Sequence, residues 1–179
     1  MFMRQETQLL LEKLNLKTSL AFGGNLLKNS NAKVQRPIST RRAMHVVLRS
    51  SLLKGSRSLL VSKNAKAVDH IISCQAQKHG VKTYQLAKAH NHIHLVLLAR
   101  TRQGFISFLR AVCGLVVRLL LGAQRGNPFG KNFWDQRPWT RIISWGKEFV
   151  GVSKYLEQNL LEAFGFIPYQ PRGVRFNSG

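Results

Sequence analysis

His92 and His94 flank a single residue in the run Asn91-His92-Ile93-His94-Leu95-Val96. On a β-strand successive side chains leave opposite faces, so both imidazoles would project together while Ile93 and Leu95 enter the core. Two imidazoles mounted on a rigid strand can ligate one metal ion. Two ordinary histidines, one of them a hydrogen-bonded core residue, fit the same spacing. Further along, Tyr155 and Asn159 stand four residues apart, one above the other on a helix. Their row borders an apolar stripe, Val152, Leu156, Leu160 and Ala163, that must pack on something. A half-buried packing tyrosine and a locally bonded asparagine are the plain reading. The chemical reading makes the Asn159 amide oxygen a third metal ligand and Tyr155 a nucleophile beside it.

That chemistry would suit a phosphodiester. A divalent ion on two histidines and one amide oxygen can polarise a non-bridging oxygen and offset the charge that develops during attack. Tyrosine has a reference pKa near 10, so it needs alignment and a nearby cation to act as a nucleophile. Attack would leave a covalent phosphotyrosine and a free DNA end, and a later 3′-hydroxyl could rejoin that linkage without ATP. Hard oxygen donors suit Mg²⁺ or Mn²⁺ better than a closed zinc site. Cys74 and Cys113 have no CxxC spacing and read as two free thiols in a reducing compartment.

The elements that must position these residues follow from pattern. Ala43 to Ser50 alternates as a strand, with Met44, Val46 and Leu48 on one face and His45 and Val47 on the other. Asn64 to His79 has helical spacing and stops at Gly80. Val81–Lys88 and His92–Ala99 are predicted as a hairpin. Gly104 to Leu121 is a long apolar helix ended by Gly122. Phe133 to Ser144, split by Pro138, reads as a bulged or edge strand. Gly151 to Phe164 is the last helix. The order of strand, helix, hairpin, helix, strand, helix predicts an α+β fold, an antiparallel β-sheet flanked by helices. Residues 1–36 read as a basic, partly disordered extension with a short helix at Glu6–Leu14, residues 37–169 as the folded domain, and 170–179 as a flexible tail.

The 179 residues carry 28 Lys and Arg against 7 Asp and Glu, a formal charge of +21. Such an excess repels itself unless a polyanion neutralises it, which points to nucleic acid or an acidic membrane surface. No apolar run reaches the roughly 18–20 residues of a membrane span, since Val112–Leu121 is interrupted by Gly114 and Arg118. No signal-peptide pattern opens the chain, so a cytoplasmic, nucleoid-associated protein with no membrane partner is expected.

The His-hydrophobic-His run resembles the motif of HUH endonucleases. Tyr155-Leu156-Glu157-Gln158-Asn159 resembles the Tyr-x-x-x-Asn helix of single-tyrosine insertion-sequence transposases, including the REP-associated tyrosine transposases. Between them Phe133-Trp134-Asp135-Gln136-Arg137 is similar, more loosely, to the family's aromatic and basic fourth strand. The resemblance spans about residues 40 to 166. It implies a small antiparallel sheet flanked by helices and His92, His94 and Asn159 as ligands of Mg²⁺ or Mn²⁺. It also implies Tyr155 as nucleophile and, as partners, single-stranded DNA and DNA hairpins. Relatives include both monomers and homodimers. Two departures stand out: many relatives carry Pro before the Asn-His-x-His run and after the helix Asn, where this chain has Ala89/His90 and Leu160.

Arg100, Arg102, Arg110, Arg118, Arg125, Lys131 and Arg137 are candidates for phosphate contacts, and a solvated basic face explains some of them equally well. Trp134 and Trp139 could stack on unpaired bases, with core packing the simpler role for at least one. His90 reads as a turn residue and His45 as structural. A non-catalytic RNA- or DNA-binding module accounts for the charge and the aromatics but leaves the two motifs as coincidence. A domesticated relative would have the same sequence features.

Overall fold

The computed structural model describes residues 20–27, 34–122 and 132–170. Alternation in the strand sequences produces a two-faced sheet. In β2 (Met44–Arg49) and β4 (His92–Ala99), paired antiparallel, Met44, Val46 and Leu48 share one face with Ile93, Leu95 and Leu97. All six are buried against two helices, α1 (Ser62–Lys78) and α2 (Arg102–Leu121). The opposite face carries His45, His92, His94 and Val96. The third helix, α3 (Lys147–Ala163), packs there. β3 (Val81–Lys88) completes the hairpin with β4, and β5 (Trp139–Ile142) pairs with β2 on its other side. The sheet order is β1-β5-β2-β4-β3 with every pairing antiparallel. This is the expected α+β class, with three α-helices among the described residues.

Contrary to the expectation that no apolar run reaches that length, α2 is long and apolar enough to cross a bilayer by length and composition, because Gly114 and Arg118 do not interrupt the helix. Part of it is built into the core, through Phe105, Phe108, Leu109, Val112 and Val116. Thr101 caps its start, its hydroxyl accepting from Gly104 N at 2.9 Å. Gly122, at φ 66°, ends it in the left-handed conformation that a side chain would disfavour.

Two features differ from expectation. The folded part begins upstream of residue 37. β1 (Ala21–Phe22) pairs with β5, and the Leu20 carbonyl accepts from Ile142 N at 3.0 Å. Arg36 locks this region, donating to the Pro138 carbonyl at 2.8 Å and to Thr140 Oγ1 at 2.7 Å, with its guanidinium 4.5 Å from the Phe22 ring centroid. β5 is therefore covered on both sides and is not an edge. It is also shorter than the predicted Phe133–Ser144 run. Residues before Pro138 cross the end of β2 as a loop, where Asp135 N donates to the Arg49 carbonyl and the Asp135 carboxylate accepts from Ser51 N at 2.8 Å. The expected Glu6–Leu14 helix lies outside the described residues, as does the tail beyond Gln170.

Candidate active site

The register of the sheet gathers the histidines. Val47 lies opposite His94 and Arg49 opposite His92, so His45 is one diagonal step from His94 on the same face. His92 and His94 leave that face together, their ring centroids 4.7 Å apart, while Ile93 and Leu95 go into the core as expected. His94 is 4% exposed and His92 is half-buried.

α3 is brought over these rings by a small apolar cluster. Leu156, buried, packs with Ala43, Ala87, Val96 and Ile143, and Phe149 and Val152 lie beside it. Ala43, just before β2, and Ala87 of β3 place small side chains beneath the helix. A bulge in β3 between Thr83 and Gln85 helps to fix its start. Tyr84, at the bulge, meets Trp145 and Phe149 edge-on at 5.3 and 5.7 Å. Glu148, in the first turn of α3, pairs with Arg141 of β5 and accepts from Ser144 N at 2.7 Å.

With Leu156 inward, its neighbours Tyr155 and Asn159 face the histidines. The Tyr155 ring centroid is 5.7 Å from His94 and 6.4 Å from His45, within one chain. Asn159, one turn on, is 7% exposed, so its amide sits inside the site. Tyr155 is 36% exposed, open to a substrate from the solvent side. Among the described residues no three of His, Cys, Asp or Glu come together as a ligand set. The Asn159 amide oxygen is a donor beside the imidazoles, of a hardness that suits Mg²⁺ or Mn²⁺.

The ring nitrogens fit that role. His92 Nδ1 lies 2.8 Å from Asn91 Oδ1, and His94 Nδ1 lies 3.1 Å from His45 Nε2. Burial pushes the His45 imidazole down to about 4, with the charge of Arg141 adding to the effect, so the ring is neutral near pH 7.

The cleft over this face is about 1510 Å³, larger than a typical small-molecule site. Arg49, Arg137, Arg141 and Trp139 line it beside the histidines, as do Asn25 and Leu26 from the N-terminal segment. Of the basic candidates read from sequence, the structure brings only Arg137 here. Arg100, Arg102, Arg110 and Arg118 are exposed on or next to α2, in the layer behind the sheet, and Arg102 donates to Gln35 Oε1 at 3.0 Å. Arg125 and Lys131 lie outside the described residues. Trp134 turns to the core layer, donating to the Cys113 carbonyl at 3.3 Å. Trp139 is the tryptophan in the cleft, edge-on to His45 at 5.3 Å. The sequence reading missed Arg49, although it continues the His45, Val47 row of β2. It also missed the N-terminal segment, whose two-residue strand has no periodicity to read.

No family model matches the sequence, and no curated protein matches it. Among solved structures, the chain is similar to a REP-associated tyrosine transposase bound to a REP hairpin, at 17% identity over 76% of each chain with a TM-score of 0.58. A protein from Deinococcus radiodurans R1 named as a transposase aligns at 16% identity over 72% of this chain and 98% of its own, with a TM-score of 0.45. The five-stranded antiparallel sheet with its three helices is thus the fold of the REP-associated tyrosine transposase structure, shared at low sequence identity.

Proposed function

We propose that this chain is a metal-assisted, single-tyrosine DNA nicking and strand-joining enzyme of the transposase type. The observation that carries the reading is the meeting of Tyr155 and Asn159 of α3 with His92 and His94 of β4 in one basic cleft. A transposase-like fold supports it. The solved protein of that fold is bound to a REP hairpin, which makes single-stranded DNA beside a hairpin the substrate class proposed here.

His92, His94 and Asn159 would hold Mg²⁺ or Mn²⁺. When bound, the ion would draw electron density from a non-bridging phosphate oxygen. The chain's own residues do the rest. Arg49 and Arg137 offer cations to the DNA backbone at the cleft wall, and Trp139 offers a ring face to an unpaired base. Tyr155 gives up its phenolic proton to solvent water and its Oη attacks phosphorus. The bond from phosphorus to the 3′-oxygen breaks, and that oxygen leaves as a 3′-hydroxyl after taking a proton. The product is a 5′-phosphotyrosine on α3. Attack by a 3′-hydroxyl reverses the exchange and releases the tyrosine, which is strand joining. The 5.7 Å between the Tyr155 and His94 rings within one chain supports a mechanism in which each molecule uses its own tyrosine.

The test is a denaturing gel after incubation with a hairpin-flanked single strand and Mn²⁺. A covalent protein–DNA adduct is expected from the wild type and from Tyr169→Phe, whose ring also borders the cleft, and none from Tyr155→Phe. An adduct that survives Tyr155→Phe, or none with any hairpin flank tried, sinks the reading. In the second case a passive nucleic-acid-binding module becomes the better description. Mixing His92→Ala with Tyr155→Phe should not restore cleavage; restoration would mean that the tyrosine works across a dimer.

A further inference from the structure

Both strand histidines are held at the same ring nitrogen. Asn91 Oδ1 lies 2.8 Å from His92 Nδ1. An amide oxygen only accepts, so that nitrogen carries a proton, and in the neutral ring Nε2 keeps the lone pair. His45 Nε2 lies 3.1 Å from His94 Nδ1, with the two ring planes within 22° of each other and their centroids 5.3 Å apart. This bond can run either way. If His45 accepts, His94 takes the same tautomer as His92, and its buried Nε2 is the lone-pair nitrogen. His45 is fixed for this task from several sides. It is 6% exposed, sits on the central strand β2 between β4 and β5, and is wedged edge-on against Trp139 and Tyr155. A packing role alone would explain its burial. It would not explain a ring nitrogen aligned on the Nδ1 of a histidine 49 residues away.

We propose that His45 and Asn91 are positioning residues that accept the Nδ1 protons of His94 and His92, so that both imidazoles present Nε2 to one divalent cation. The proposal rests on the metal site of the preceding section. Neither residue touches metal or DNA in this scheme. Each sets the tautomer and ring plane of a ligand, which is the usual task of groups behind metal-bound histidines, and removing such a group typically costs about 10- to 100-fold in metal affinity.

Two measurements on the full chain without DNA test it. In the metal-free wild type, long-range ¹H–¹⁵N spectra of the imidazoles should show His92 and His94 both protonated at Nδ1. A His94 protonated at Nε2 overturns the proposal, whatever any variant does. Second, Mn²⁺ titration followed by electron paramagnetic resonance compares wild type, His45→Phe, His45→Gln and His92→Ala. His45→Phe keeps a ring against Trp139 and Tyr155 but has no acceptor, and should weaken Mn²⁺ binding about 10- to 100-fold. His45→Gln offers an amide oxygen to the same proton and should recover part of the loss. Wild-type affinity in His45→Phe, with binding lost in His92→Ala, overturns the positioning role and leaves the metal site standing. Wild-type affinity in His92→Ala removes the metal site itself.

Discussion

Asn159 owes its place to Leu156. With the leucine buried on the sheet, the residues that flank it on α3 must turn toward β4, and Asn159 is the buried polar one among them. Asn159→Ala should lower Mn²⁺ affinity by at least about tenfold, while Asn159→Asp, which keeps an oxygen donor, should retain most of it; calorimetric titration reads both. His92→Ala should abolish adduct formation yet keep most hairpin binding, because the basic cleft wall is untouched. Equal loss of both on a gel-shift assay would make His92 structural. At this scale the sequence was informative where chemistry lies within a few residues, as in His92, His94 and the Tyr155–Asn159 turn. It was silent on contacts made by topology. His45 reads as an ordinary strand histidine until β2 and β4 are placed in register. Trp134 and Trp139 look alike as sequence, and only the loop's course across the end of β2 sends one to the core and the other to the cleft.

The legibility of each element depended on how many turns or alternations it contains. β3 and β4 are found where alternation placed them. α3 begins at Lys147, four residues before the predicted start, because its first turn is anchored by Glu148 and by aromatic contacts, with no side-chain cap to mark it. β1 was not foreseen, since two residues show no period. Its geometry is strict all the same. Gly23, at φ +84°, passes so close to β5 that an added Cβ would lie 2.3 Å from the Pro138 carbonyl oxygen. Gly23→Ala should therefore destabilise the protein by about 1–3 kcal/mol, seen as a melting temperature lowered by several degrees. On α2, burial pushes the Cys113 thiol up to about 12, although the nearby Arg36 opposes the shift. The thiolate is the reactive form, and below pH 12 it is the minor one. An alkylating reagent at pH 8 should label exposed Cys74 and spare Cys113, as peptide mass mapping would show. Labelling of Cys113 in the folded protein would contradict the packing of α2 against Arg36 and Trp134.

For the molecule as a whole, the net charge of +21 gave a partner class without saying which face meets it. The fold divides the question. Arg49 and Arg137 stand at the cleft, whereas Arg110 and Arg118 stand behind the sheet on α2. Hairpin affinity should fall steeply with salt, with log K declining by about 0.7 per phosphate neutralised on single strands for each unit of log salt. Arg137→Ala should flatten that slope by roughly one contact, and Arg110→Ala should leave it unchanged. If Arg110→Ala flattens it as much, DNA also wraps the rear layer.

The helix that carries Tyr155 contains no other tyrosine, and the Tyr155 ring lies 5.7 Å from that of His94 in its own chain. Under the proposed mechanism this sets a stoichiometry. One molecule can hold one severed strand end at a time, so lifting a segment out of a longer strand, which requires two cuts, takes either two molecules acting together or two successive rounds by one. At limiting enzyme, the yield of single nicks should grow linearly with protein concentration. The yield of doubly cut product should grow with its square if two molecules cooperate.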